Sequence, residues 1–289
     1  MTWSPGPVVT RRRLGGELRR LREGAGLKLE DVARRLECSP SKISRLENGK
    51  GVPRWRDVRD MLDVYAVAED GHRDRLLEWA RTGRAPTWWQ AYADVLPPGF
   101  DTYVELEWDA ARIVAYEPYV VHGLLQTADY ARAVLRSRWD GVYSTSQVER
   151  LVEVRLKRQE ALAQEHGLDF HCILDESTLY RGVGSPEVLL AQVQHLVDVA
   201  EADHVDLRVL PFSAGLVAAS RSPFAKLEFS AGIEHGIVHL ENADGASFLA
   251  DPGELAAYES RLATLDQVAL SEPESIPLIE RAARWIRDG

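Results

Sequence analysis

Only three residues, Glu37-Cys38-Ser39, separate two short segments that each carry a helical pattern. In "LKLEDVARRLE", Leu29, Val32, Ala33 and Leu36 follow the i, i+3, i+4, i+7 spacing of one buried face. In "SPSKISRLENGK", Ser39 is a good N-cap, Pro40 suits the first helical position, and Gly49 sits where a left-handed C-cap belongs. A connection this tight makes the two helices cross steeply, and Ala33 is small enough to let them approach. At about 100° per residue, Ile43 and Leu46 share one side of the second helix. Ser41, Ser44, Arg45 and Asn48 share the opposite side, a short, polar, cationic stripe without Asp or Glu. Glu30 and Asp31 favour the first helix from its first turn, where the macrodipole is positive. Lys28, just before them, is a poor cap but is well placed to meet a phosphate.

The flanking segments complete a small helical domain. "RRRLGGELRRLRE" places Leu14, Leu18 and Leu21 at helical spacing from Arg11 to Glu23, with arginines around the rest of the wheel. Pro53–Val67 carries Val58, Met61, Leu62 and Tyr65 as a core-facing stripe, and "GHRDRLLEWART" adds a helix with Leu76, Leu77 and Trp79. "TGRAPTWW" then breaks the pattern, which sets a boundary near residue 84. Charge is divided along the same line. Residues 1–64 hold 15 Lys+Arg against 9 Asp+Glu, and the rest of the chain holds 20 against 36, so a net of −10 hides a basic head on an acidic body. That asymmetry suits a chain in which one domain meets a polyanion and the other does not.

The stretch from Arg11 to Val67, and "GLKLEDVARRLECSPSKISRLENGK" above all, resembles the lambda-repressor-like, Xre-type helix-turn-helix family. The resemblance implies a domain over residues 8–84 whose second motif helix enters the DNA major groove. Pro40, Ser41, Ser44 and Arg45 match the family's base-facing positions, with Arg45 able to make a bidentate contact to guanine. Pro40 departs from the family's usual polar residue and offers shape or methyl contact alone. Lys28, Ser39, Lys42, Lys50 and Arg54 are phosphate candidates, which position a domain without naming a sequence. The resemblance also places Arg22 opposite Glu47 as an ion pair that fixes the angle between helices. The competing reading of this region is a helical hairpin for protein contact.

Residues 85–289 alternate helical and extended patterns. "FHCILD", "VDLRVLP", "PFAKLEF" and "GIVHLEN" read as strands, as does Ile113–Tyr116. The long segments "SQVERLVEVRLKRQEALAQEHG", "SPEVLLAQVQHLVDVAEA" and "ELAAYESRLATLDQVAL" read as helices. The expected fold is therefore an all-α helix-turn-helix domain followed by an α+β domain with one modest sheet. At "VHGLLQTADYARAVL", "RLKRQEAL", "ILDESTLYRGVG", "RVLPFSAG" and "SPFAKLEF" the body resembles the C-terminal domain of actinobacterial WhiJ-like, antitoxin-like regulators. This implies a transcription regulator, often linked with a small partner protein encoded beside it.

Three features of the body invite a binding role. Arg155 and Arg158 share a helical stripe with Leu151 and Leu162, so at least one guanidinium is expected to point inward, with Asp175 and Glu176 as counter-charges. The spacing fits a structural arginine–carboxylate network better than an anion site. Gln126 is left to bind a ligand or a buried backbone group if Thr127 caps the next helix. "GVGS", Gly182 to Ser185, is a weak phosphate-loop candidate because it lacks the longer glycine pattern and a following Lys.

No G-x-S-x-G, H-E-x-x-H or Cys–His pairing is present, so no catalytic residue, cofactor or metal is expected. His235 and His239 share a strand face and read as surface or interface histidines. Cys38 and Cys172 read as reduced thiols, and no apolar run reaches membrane-spanning length. The sequence thus points to a cytoplasmic regulator that binds a palindromic double-stranded operator as a homodimer, with a partner protein or small ligand acting on the body. Trp88, Trp89, Trp108 and Trp139 are candidates for the dimer surface. A pure interaction protein of antitoxin type is the alternative, and an enzyme with a DNA-binding head is the third class.

Overall fold

The computed structural model describes residues 7–49, 51–83, 87–138, 140–163, 168–215, 222–230, 236–242 and 245–288. The chain divides into two compact units. One holds Met1–Trp88 with Phe229–Glu234, and the other holds Trp89–Glu228 with His235–Gly289. The boundary expected near residue 84 falls outside the described residues, as do Lys50, Trp139 and His235.

The head is built from α1 (Pro7–Gly24), α2 (Leu29–Arg35), α3 (Pro40–Glu47), α4 (Trp55–Val64) and α5 (Asp70–Thr82). The first helix starts at Pro7, ahead of the expected Arg11. Each apolar stripe read from the sequence faces inward: Leu14 and Leu18, Val32 and Ala33, Ile43 and Leu46, then Val58, Met61 and Leu62 form one core. Burying aliphatic side chains of this size contributes about 1.5–3 kcal/mol each. Gly15 lies where α1 meets the end of α3. A Cβ there would stand 2.5 Å from the carbonyl oxygens of both Leu46 and Glu47, so the helices meet on bare backbone. The α2–α3 turn runs through Glu37 at φ 49°, in the left-handed region that a non-glycine residue adopts at some strain.

The body carries α6 (Phe100–Asp109), β1 (Arg112–Glu117), α7 (Ala128–Arg138), α8 (Thr145–Ala163), β2 (Asp169–Asp175) and α9 (Pro186–Val199). Then follow β3 (Val205–Leu210), β4 (Phe224–Glu228), β5 (Ile237–Asn242), β6 (Gly245–Leu249), α10 (Pro252–Val268) and α11 (Glu272–Asp288). The strands form one six-stranded mixed sheet in the order β3-β2-β1-β4-β5-β6. β1, β2 and β3 run parallel, because α7, α8 and α9 supply the long crossovers that parallel pairing needs. β4, β5 and β6 add antiparallel neighbours on the other side of β1. The α+β class read from the sequence is the class observed.

On one sheet face, Val114, Tyr116, Ile173, Phe224 and Val238 pack against Leu255, Leu262 and Leu265 of α10. The other face is fixed by register. Ala115 lies opposite Ala225, and Ala225 opposite His239. With side chains alternating along each strand, Glu117, Ala225, His239 and Glu241 therefore share that second face. Among the described residues no helix is long and apolar enough to cross a membrane.

Candidate nucleic-acid interface and body cavity

α3 is capped as its sequence requires. Ser39 Oγ accepts from the Lys42 backbone N–H at 3.3 Å and lies 3.0 Å from Ser41 Oγ, and Pro40 takes the first helical position. Ile43, Leu46 and Glu47 are buried, while Pro40, Ser41, Lys42, Arg45 and Asn48 are exposed. Ser44 is half-buried, with Asn48 Nδ2 donating 2.8 Å to its carbonyl oxygen. The base-facing candidates Pro40, Ser41, Ser44 and Arg45 thus all lie along the outer side of one short helix. Among the described residues, Arg45 makes no ion pair or side-chain hydrogen bond. Its guanidinium fork is open to an outside acceptor.

The phosphate candidates divide into two groups. Lys28 and Arg54 are exposed helix N-caps, at α2 and α4, and neither has an ion-pair partner among the described residues. At α2 the Asp31 carboxylate accepts from the Lys28 backbone N–H at 3.1 Å, so the Lys28 side chain takes no part in capping. Lys42 differs: its Nζ is 3.0 Å from Asp57 of α4, an acidic neighbour that the helical wheel of α3 alone does not reveal. A phosphate at Lys42 would have to compete with that carboxylate.

Beneath this surface, Arg22 of α1 grips Glu47 of α3 through two parallel hydrogen bonds. Nε donates to Oε1 at 2.7 Å and Nη2 to Oε2 at 3.0 Å. Arg22 Nη1 also donates to the Leu27 carbonyl at 2.8 Å, which ties the loop before α2 to the same guanidinium. The hydrogen bonds that it donates to Glu47 hold the Arg22 guanidinium above its usual range, against the opposing effect of burial. The pair sets the last turn of α3 against α1 at the point where Gly15 allows close contact.

In the body, a cavity of about 520 Å³ opens on the sheet face that carries Glu117, Ala225, His239 and Glu241. Its other walls come from Tyr103 on α6, a single turn at Gly123–Leu125, and Arg155 and Arg158 on α8. Arg158 is 3% exposed and donates to both oxygens of Glu107, itself 1% exposed, at 2.6 and 2.8 Å. The rings of Phe100 and Tyr103 lie 5.1 and 5.2 Å from the same guanidinium carbon. A Cβ on Gly123 would come within 3.1 Å of Arg158, so the turn passes close over the arginine side chains.

The expected counter-charges are elsewhere. Asp175 caps a following turn by accepting from the Ser177 N–H at 2.9 Å, and Glu176 accepts from the Phe212 N–H at 2.7 Å. Both lie at the end of β2 and satisfy local backbone donors, while α8 meets α6 and finds Glu107 there. Sequence reasoning missed Glu107, although a signal existed. It falls one turn after Tyr103 on the buried stripe of α6, where a charge needs a partner.

Gln126 is fully engaged. Its Nε2 donates to the Val121 carbonyl at 2.6 Å, and its Oε1 accepts from Arg155 Nη1 at 2.8 Å. Thr127 Oγ1 accepts from the Tyr130 N–H at 3.3 Å and so caps α7. His239 is not a surface histidine: it is buried, its ring tilted by 30° against that of Tyr103 at 4.1 Å between ring centroids. Burial brings its pKa down to about 4, so it is neutral at pH 7. His122 is also held neutral by burial and then by Arg158 and Arg155. Its Nδ1 accepts from the Leu124 N–H, which leaves the proton on Nε2, 3.3 Å from the Tyr103 hydroxyl.

Of the four tryptophans that are candidates for a dimer surface, Trp139 lies outside the described residues. Trp89 is buried, and Trp88 and Trp108 are half-buried. Among the described residues, the large exposed aromatics of the body are Trp285, 58% exposed, Phe212, 62% exposed, and Tyr119, 54% exposed.

Comparison with protein families matches residues 13–76 to a helix-turn-helix domain and residues 100–281 to a domain of unknown function, DUF5753. Comparisons with curated proteins and with solved structures gave no match. The helix-turn-helix match contains α2, the turn and α3. The other match takes in α6 through most of α11, and with them most of the cavity lining. It covers more than half of the chain, which therefore belongs to the DUF5753 family, with a helix-turn-helix domain ahead of that family's own.

Proposed function

We propose that the protein is a sequence-specific, non-enzymatic transcription regulator of the cytoplasm. Its head reads a palindromic operator, and its body joins two copies and responds to a ligand or partner protein. The observation that carries this reading is the outer face of α3, where Ser41 and an Arg45 unpaired among the described residues are exposed beside a half-buried Ser44, on a helix whose inner side is locked into the core. An arginine fork without an internal acceptor suits the two acceptors that guanine presents in the major groove. The basic head supplies the sequence-independent attraction to phosphate, and the acidic body does not add to it.

A single small head reads few base pairs, and two-fold pairing on a palindrome raises effective concentration without new contacts. The apolar stripes of the head are used up in its own core, so the proposal places the joining surface on the body. Selection of bound duplexes from a random pool by the full-length protein tests this. The expected result is an enriched palindrome with half-sites about 34 Å apart, or a multiple of that, bound by a dimer in light scattering. Recovery of unenriched sequence, or a monomer at concentrations that bind the selected duplex, contradicts it.

A further inference from the structure

The charges around the body cavity do not cancel. Arg158 is neutralised by Glu107, and Arg138 lies 2.8 Å from Glu241 at the rim. Arg155, on the wall between them, donates Nη1 to the neutral amide of Gln126. Among the described residues its Nε and Nη2 have no hydrogen-bond partner, and no carboxylate comes within ion-pair distance. Glu117, the nearest acidic candidate by sheet face, does not supply the missing charge. Burial, with Glu241 nearby, pushes its carboxyl up to about 8 against the lowering effect of Arg155, Arg138 and Arg158, which favours its neutral form at pH 7. Arg155 itself, brought down by burial and by Arg158 to about 10, stays charged. Both neighbouring histidines are neutral, and the Nε2 of His239 is buried without a partner.

We infer that this cavity binds a small monocarboxylate with an apolar body, its carboxylate held by the free edge of Arg155. Each part of the description has its residues. A guanidinium edge with two parallel donors matches the two oxygens of a carboxylate. One uncompensated positive charge calls for one negative charge, and a dianion such as phosphate would leave an excess in a site walled by carboxyl groups. Val121, Val134, Leu135, Leu151 and Val154 provide an apolar lining for the remainder of the ligand. The volume of about 520 Å³ is that of a cavity for a compact organic molecule. Gln126, clamped between Val121 and Arg155, positions the guanidinium by fixing its third edge.

This inference rests on the regulator reading only for its consequence, since it names the class of ligand to which the body would respond. The test is made on full-length protein without DNA, so its failure is separate from any failure of operator recognition. Calorimetry at pH 7 would compare hexanoate and phenylacetate with hexanamide and phenylacetamide. Saturable binding of the acids, at least about tenfold tighter than the matching amides, is expected. Arg155→Gln should remove that preference, bringing the affinity for the acid down to that for the matching amide. Equal affinity for acid and amide, or no saturable binding of either acid, overturns the inference. If Arg155→Gln does not fold, the acid-to-amide ratio on the unaltered chain decides. Val134→Trp, which fills the apolar wall, should abolish acid binding, and retained binding there likewise overturns the site. Bound acid that leaves operator affinity unchanged supports the cavity and counts against its regulatory role.

Discussion

Two buried arginines each meet a carboxylate through a double hydrogen bond, Arg22 with Glu47 in the head and Arg158 with Glu107 in the body. Such pairs add little net stability over apolar packing, but breaking one strands a charge in a place that water does not reach. Arg22→Met or Glu47→Leu alone should therefore lower stability by about 3–5 kcal/mol, and the double substitution should recover much of that loss. Chemical denaturation of the four proteins of the cycle measures the coupling, and additive losses would show that the two side chains act independently. The two pairs were unequally legible in the sequence. Arg22 and Glu47 stand at motif positions, and the motif fixes their separation in space. Arg158 could be placed on an inward stripe of α8, but its partner depended on which element α8 packs against. Residues following β2 offered nearby charges, whereas the partner came from α6, far away along the chain.

Helix contacts in the head depend on where side chains are absent as much as on where they are present. Gly15 and Gly16 are consecutive on α1, yet a Cβ at Gly15 would strike two carbonyl oxygens of α3, and one at Gly16 would meet nothing within 4 Å. Gly15→Ala should push the end of α3 away from α1 and destabilise the head by about 1–3 kcal/mol. Gly16→Ala should instead stabilise it by roughly 0.5–1 kcal/mol, because alanine loses less backbone freedom in a helix interior. Thermal melts of the two variants check the contrast, and equal shifts would contradict the close contact. Neither glycine was distinguishable from the other in "RLGGEL", since the contact is made with a helix some thirty positions on. Elements with strong periodicity were readable: α2, α3 and α4, and the strands rich in Ile, Val, Leu and Phe. β6 was not. Its sequence "GASFL" has a weak strand preference, and only its pairing along β5 makes it a strand.

Across the whole molecule, a basic helix-turn-helix head precedes a larger acidic body whose sheet and helices enclose a cavity where Arg155 forms no ion pair among the described residues. The two-part organisation was legible from composition and pattern, because a change in net charge accompanies the break at "TGRAPTWW". The cavity was not legible. Its lining comes from α6, β1, α7, α8, β4, β5, β6 and the loops between them, and a pocket assembled from so many separate segments leaves no local spacing to read. The central claim is that α3 reads DNA bases through Arg45, while residues such as Lys28 hold the backbone. Equilibrium binding of the unaltered protein, Arg45→Ala and Lys28→Ala to the selected operator and to scrambled duplex, over a salt series, tests it most directly. Arg45→Ala should lose about 1–3 kcal/mol on the operator and little on the scrambled duplex. Lys28→Ala should weaken both duplexes alike and reduce the salt slope by about one. Equal losses from Arg45→Ala on operator and scrambled duplex would mean that this arginine grips phosphate, and would contradict the account.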